Sequence, residues 1–253
     1  MSLLAHALEP GSLSAVFQPV VDLGAAPPSV YYLEGLVRGP KGTNLERPDV
    51  LFCYARRRGA EASMDRAAVR AILTAAESLP EDAAIGLNVH ASTLAADLEL
   101  LPYLVETARE RGIALDRLLV EILEHGLPWD FGALRRTLAA LRDLGVRIAL
   151  DDIGTGQSNF LMMTLECRPD VLKVDRYLVG ACDHDPDRAQ VLRHLARLAE
   201  SFGARVVAEG VETGGELLAV RAAGIHLAQG YVFGRPQPAS ASPRPQAREA
   251  SGF

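Results

Sequence analysis

Residues 147 to 156 read RIALDDIGTG: an apolar, strand-like run stops at two adjacent carboxylates, Asp151 and Asp152, and a glycine-punctuated loop follows. Other strand-like runs end the same way. Glu34 follows VYYL, Asn88 follows IGL, Glu121 follows LLV, Lys173 follows VL and Glu209 follows RVVA. In a barrel of alternating strands and helices the chemistry gathers at the C-terminal ends of the strands, so polar tips far apart in sequence converge in space.

The segments around these tips alternate. AVFQPVVD (15 to 22) and SVYYLEGLVR (29 to 38) read as neighbouring strands joined by a turn in GAAPPS, because β-branched and aromatic residues cluster between turn formers. Apolar residues recur at helical spacing over 63 to 78, 95 to 111, 132 to 144, 187 to 202 and 214 to 223. Strands are expected at AIGLNV and near 118 to 123, 147 to 151, 171 to 175, 205 to 209 and 227 to 233, with Gly145, Gly203 and Gly224 where helix C-caps belong. This rhythm implies an α/β fold with a mainly parallel sheet. No GxGxxG follows the first strand, which argues against an open dinucleotide-binding sheet and for a closed (β/α)8 barrel over 1 to 236. From 237 to 253 the chain is rich in Pro, Ala and Ser without periodicity, and a disordered tail is expected there.

Composition narrows the partners. The 253 residues are 49% hydrophobic and 23% charged, ordinary for a globular protein with a sizeable core, and the net charge of -6 offers no basic footprint for a long nucleic acid. Cys53, Cys167 and Cys182 are odd in number and form no CxxC pair, so neither a disulfide framework nor a thiolate zinc site is indicated. No apolar run reaches the roughly 18 residues of a spanning helix, so membrane insertion is not expected and the cytoplasm is the expected location.

Each acid on its own has an ordinary explanation as a helix cap, a turn residue or half of an ion pair. Five at one topological end do not. Two carboxylates about 5 Å apart repel by roughly 3 kcal/mol at an effective dielectric near 20, so a cluster of Glu34, Glu121, Asp151, Asp152 and Glu209 with Asn88 calls for a cation. All-oxygen donors favour hard ions such as Mg²⁺ or Mn²⁺, and the absence of HExxH or Cys/His clusters argues against dedicated zinc. Lys173 is one of only two lysines, with Lys41. A period of two puts Lys173 and Asp175 on one strand face, so the lysine either pairs with Asp175 or holds a water or phosphate oxygen. Arg38 shares a face with Glu34 and can reach a phosphate. GTGQSN is a weak phosphate-loop signal alone, the histidines form no interpretable spacing, and Trp129 in GLPWD is a packing residue or a partner contact.

Taken together, LEGLVR, NVHA, VEILE, ALDDIGTGQSN, VLKVD, VVAEGVE and LAQGYVFGRP resemble the EAL family of cyclic di-GMP phosphodiesterases, in family order from Phe17 through Pro236. The resemblance implies a TIM-like barrel with one reversed strand, hydrolysis of cyclic di-GMP to linear pGpG with two Mg²⁺ or Mn²⁺ ions, and a homodimer. Glu34, Asn88, Glu121 and Asp151 fall on the family's first metal site, and Asp152 and Glu209 on the second metal and the attacking water, with Lys173 beside it. Gln18, Arg38 and Gln229 fall on nucleotide-contacting positions, and Glu124, Glu212 and Asp175 on those that stabilise the loops. Ca²⁺ is expected to inhibit, since its longer bonds keep the ligands but misplace the water. Gly35 replaces the family's alanine, Ile153 a phenylalanine, and Gln157 and Asn159 a tyrosine and a serine. The family loop holding the last two couples the metal site to dimerisation, so turnover and regulation are less determined than metal binding. Two other readings compete: a catalytically silent cyclic di-GMP receptor, and an enolase-like lyase, which explains the acids but not EGVE, QGY or the paired aspartates. No sensor or cyclase domain fits in the remaining residues, so a stand-alone enzyme or an excised domain is expected.

Overall fold

Runs such as LLVEIL and RIAL are apolar on both faces, which suits parallel strands covered by side chains within and helices without. A computed structural model describes residues 2–123, 130–154 and 160–242. It opens with α1 (Leu3–Leu8), β1 (Ser14–Asp22), β2 (Ser29–Arg38), α2 (Pro48–Arg57) and α3 (Glu61–Ala76). Then come β3 (Ile85–His90), α4 (Ala91–Ala96), α5 (Leu100–Glu110), β4 (Leu118–Leu123), α6 (Phe131–Asp143), β5 (Arg147–Ile153) and α7 (Phe160–Cys167). β6 (Val171–Val174), α8 (Arg176–Val179), α9 (Pro186–Ser201), β7 (Arg205–Ala208), α10 (Gly214–Ala222) and β8 (Leu227–Gln229) complete the alternation.

The eight strands close into a barrel in sequence order. β1 is antiparallel to both β2 and β8, whereas every other neighbouring pair is parallel, so the first strand is the reversed one. The main core fills the layer between strands and helices. A second cluster of Val20, Tyr32, Leu119, Ala149, Val171, Val207 and Leu227 lies apart from it; Tyr32 and Glu34 share one face of β2 by the strand period.

Several helices are bounded as their sequences suggest. Asp130 and Asp185 cap α6 and α9, and Thr213 with Glu216 forms a capping box at α10. Gly145, Gly203 and Gly224 take positive φ just past α6, α9 and α10. The expected helix from 95 to 111 is two helices, divided where the Asp97 side chain accepts the Glu99 N–H. β8 stops at Gln229 rather than at 233, because Val211 backbone fills the space beside Gly230. β6 stops at Val174, and Asp175 caps α8 by accepting the Tyr177 N–H at 2.7 Å. The stretch expected to be disordered from 237 remains on the barrel at first: Gln237 and Phe17 exchange backbone hydrogen bonds, and a 3₁₀ turn follows at Ala239–Ala241. Residues 243 to 253 lie outside the described residues. No helix among the described residues is long and apolar enough to cross a membrane.

Candidate metal and nucleotide site

The strand tips converge. Register aligns Glu34 on β2 with Gly86 on β3, and Asn88 on β3 with Glu121 on β4, so neighbouring strands deliver polar groups at one level. Glu34 receives hydrogen bonds from Asn88 Nδ2 at 2.9 Å and from Gln229 Nε2 at 2.7 Å. Lys173 Nζ, 1% exposed, stands among four carboxylates: Glu209 at 2.8 Å, Asp151 at 3.1 Å, Glu34 at 3.4 Å, and Glu121 in close ion-pair contact. Of the two alternatives for Lys173, pairing with Asp175 is not what the structure shows: the strand ends before Asp175, and that aspartate turns to the start of α8.

One ammonium against four acids leaves the charge unbalanced, and the protonation equilibria show it. Burial, reinforced by Glu34, raises Glu121 well above the usual carboxylate range. Burial and the nearby Asp151 do the same to Glu209. Burial also raises Asp151, with Lys173 opposing. Glu34 goes the other way: burial would raise it, but the Lys173 charge and the hydrogen bonds from Asn88 and Gln229 bring it below its ordinary value. Burial would discharge Lys173 too, but Asp151, Glu121, Glu209 and Glu34 together hold it firmly protonated.

Adjacent in sequence, Asp151 and Asp152 face different surroundings. Asp152 has φ 60°, a left-handed conformation that aspartate tolerates better than most residues, and the pairing of β5 with β6 slips at this point. Asp151 reaches Lys173, and the Asp152 carboxyl lines the open cleft, pushed to about 6 by burial and by Asp151. That cleft encloses about 400 Å³. Glu34, Asn88, Asp151 and Asp152 are among its lining residues, as are Arg38 on β2, with Phe52 and Arg56 on α2. An acidic patch beside guanidinium groups and an aromatic ring suits a ligand bearing phosphates and flat bases.

The donor set fits a hard divalent cation. Oxygens of Glu34, Glu121 and Asp151 lie within 4.8 Å of one another. Asn88 Oδ1 and Glu121 Oε1 are buried without a hydrogen bond among the described residues, an expensive arrangement that a coordinated ion would relieve.

The other sequence candidates sit further out. Gln18 pairs with Glu34 in the β1–β2 register and donates to the Gly234 carbonyl at 3.1 Å. Glu212 makes a two-pronged ion pair with Arg176, which joins the loop after β7 to α8 on the rim without touching the acids. Glu124, Gln157 and Asn159 lie outside the described residues, as do His125 and Trp129. Sequence reasoning missed the α2 wall, the buried His90–Asp65 pair at 2.8 Å, and the supporting residues Tyr32 and Gly86. Gly86 carried a usable signal, since a glycine inside a strand marks close approach by something else. Tyr32 carried none.

Comparisons with known proteins agree with this geometry. A family model described as the EAL domain matches residues 2–236. An uncharacterised protein of Mycobacterium tuberculosis is 31% identical over 245 residues, covering 94% of this chain and 38% of its own length. Cyclic di-GMP phosphodiesterase NbdA of Pseudomonas aeruginosa is 30% identical over 243 residues, covering 94% of this chain and 30% of NbdA. Klebsiella pneumoniae BlrP1, solved as a calcium and cyclic di-GMP complex, superposes with a TM-score of 0.80 at 28% identity over 92% of this chain and 58% of BlrP1. The chain thus spans well under half the length of these two curated relatives.

Proposed function

The chain belongs to the EAL domain family, and from that premise we propose that it is a cyclic di-GMP phosphodiesterase, opening the cyclic dinucleotide to linear pGpG and so lowering a bacterial second messenger. The observation that carries this reading is the set of four carboxylates around Lys173, three buried and Glu209 partly exposed, beside an open, guanidinium-bearing cleft. Support also comes from BlrP1, whose cyclic di-GMP complexes were solved with calcium and with manganese.

Glu34, Asn88, Glu121 and Asp151 would hold one Mg²⁺ or Mn²⁺ ion, and Asp152 with Glu209 would hold a second. When bound, such ions neutralise phosphate charge and lower the pKa of a coordinated water. The remaining work falls to the chain. Hydrolysis forms one P–O bond from water oxygen and breaks one ester P–O bond, with the water's proton passing to the leaving oxygen. Glu209 would take that proton at its carboxylate, and Lys173, 2.8 Å away, fixes the carboxylate's position. Arg38 and Gln18 contact the nucleotide, while Gln229 holds Glu34 in place. The loops around the site are kept in register by Glu212 through Arg176 and by Asp175 at α8.

The cytoplasm is the proposed place of action, and a homodimer the proposed assembly. Leu161, Met162 and Leu165 on α7 are exposed, an apolar face that supports self-association. Sedimentation of wild type and Leu165→Asp tests the dimer.

Product analysis tests the activity. The purified chain is expected to yield pGpG from cyclic di-GMP with Mg²⁺ or Mn²⁺, and none with Ca²⁺ or chelator. Tight nucleotide binding with no product under Mg²⁺ or Mn²⁺ would instead identify a receptor.

A further inference from the structure

Below the acids, inside the barrel, lies a group that none of these roles uses. Tyr32 is 0% exposed and its hydroxyl has no hydrogen-bond partner among the described residues. A buried hydroxyl without a partner is costly, and replacing it by hydrogen normally gains stability. Yet the chain makes room for it. The space in front of Gly86, where any other residue would place a Cβ, is bordered by the Tyr32 ring edge and by Glu121 Oε1, so the glycine allows these two side chains to meet. Glu121 Oε1 likewise has no hydrogen-bond partner among the described residues, while Oε2 is the atom in contact with Lys173. Two side chains with complementary needs, one a donor and one an acceptor, therefore crowd the same spot beside Gly86.

We propose that the Tyr32 hydroxyl is a positioning donor for Glu121, bonding to one carboxylate oxygen directly or through one water so that the other is presented to a divalent cation. The inference rests on the metal reading of the site given above. A carboxylate that binds a metal through one oxygen is free to rotate unless its second oxygen is held, and such outer partners set metal affinity strongly. Lys173 meets only Oε2 of Glu121 and is shared among four acids, which leaves Oε1 without a donor among the described residues. Asn88 is committed through its amide to Glu34.

The test is Mn²⁺ affinity, read by electron paramagnetic resonance on wild type, Tyr32→Phe and Tyr31→Phe, with melting temperatures in chelator beside it. Tyr31 is a control because its ring lies under Arg147 and Arg205. Tyr32→Phe is expected to weaken Mn²⁺ binding by about 10- to 100-fold. Its metal-free melting temperature should match or exceed that of wild type, and Tyr31→Phe should bind as wild type does. Affinity within twofold of wild type in Tyr32→Phe would overturn the proposal while leaving the metal site standing. Lost affinity accompanied by a lower metal-free melting temperature would assign the hydroxyl to the fold and overturn it as well. A wild-type protein that binds no Mn²⁺ would remove the metal reading and this inference together.

Discussion

The Glu121 carboxylate occupies the space that any side chain on Gly86 would need: a Cβ there would collide with Glu121 Oε1 and stand 2.9 Å from Tyr32 Cε2. A backbone position two strand residues before Asn88 thus decides whether the acids can sit side by side. Gly86→Ala is expected to cost about 1–3 kcal/mol of stability through overpacking and to weaken Mn²⁺ binding about tenfold or more. Chemical denaturation and a metal titration measure the two effects separately. Wild-type Mn²⁺ affinity in the alanine variant would show that Glu121 has other room.

Gly35 carries a related constraint, since a Cβ there would run into Ile72 Cγ2, with Ile72 Cγ1 at 3.1 Å and the Gly86 carbonyl at 3.0 Å. Gly35→Ala, the change toward the family's usual residue, should destabilise by about 1–3 kcal/mol. Ile72→Ala alone should cost about 2–5 kcal/mol by opening a cavity. The double variant should cost less than the two together, and simple additivity in a double-mutant cycle would count against the contact.

Lys173→Met removes the only ammonium among four carboxylates. In chelator, stability should fall by about 3–5 kcal/mol, as when one partner of a buried ion pair is deleted. Turnover should fall by about 100-fold or more even when the site is saturated with metal. Because the variant gives a divalent ion more charge to offset, Mn²⁺ should raise its melting temperature more than it raises that of wild type. An equal rise in both would place the lysine outside the electrostatics of the site.

Asp152 gives the metal-free protein a pH signature. Its carboxyl moves from 3.8 to about 6 on folding, so the folded state binds more protons between those values. The stability it contributes is complete below 3.8 and is lost as the pH rises through about 6. Glu34, with its lowered pKa, acts with the opposite sign at more acidic pH. Asp152→Asn should therefore flatten the stability profile between about pH 4 and 6 in chelator and raise stability at neutral pH. An unchanged profile would mean that other carboxyls dominate that range.

The barrel and its acidic mouth were legible because their signals are local: an apolar run, a charged end, a glycine, and the same pattern again. Segments whose burial is set by neighbours were not. α2 is the exception: PDVLFCYARR does carry a helical period, with Leu51 and Ala55 buried one turn apart, and Pro48 at its start and Gly59 just beyond it at φ 66° are ordinary helix boundaries, so its sequence does mark it. α7 is too uniformly apolar over FLMMTLEC to show a face. Lys173 stands out in the sequence by its rarity, but extending the strand by one residue kept Asp175 open as a partner. In the barrel four carboxylates from four different strands or strand ends take that place.

The reversed first strand also imposes an order of events on a growing chain. Glu34 is synthesised early, but its Gln229 donor arrives on the last strand, which joins the barrel by pairing with Val20, Val21 and Asp22 of β1. A ribosome-bound chain that has emerged only through Glu209, just past β7, already carries Glu34, Glu121, Asp151, Lys173 and Glu209. Its seam is still open and its first carboxylate still lacks the Gln229 hydrogen bond, so the competent site comes into being only when the barrel zips shut.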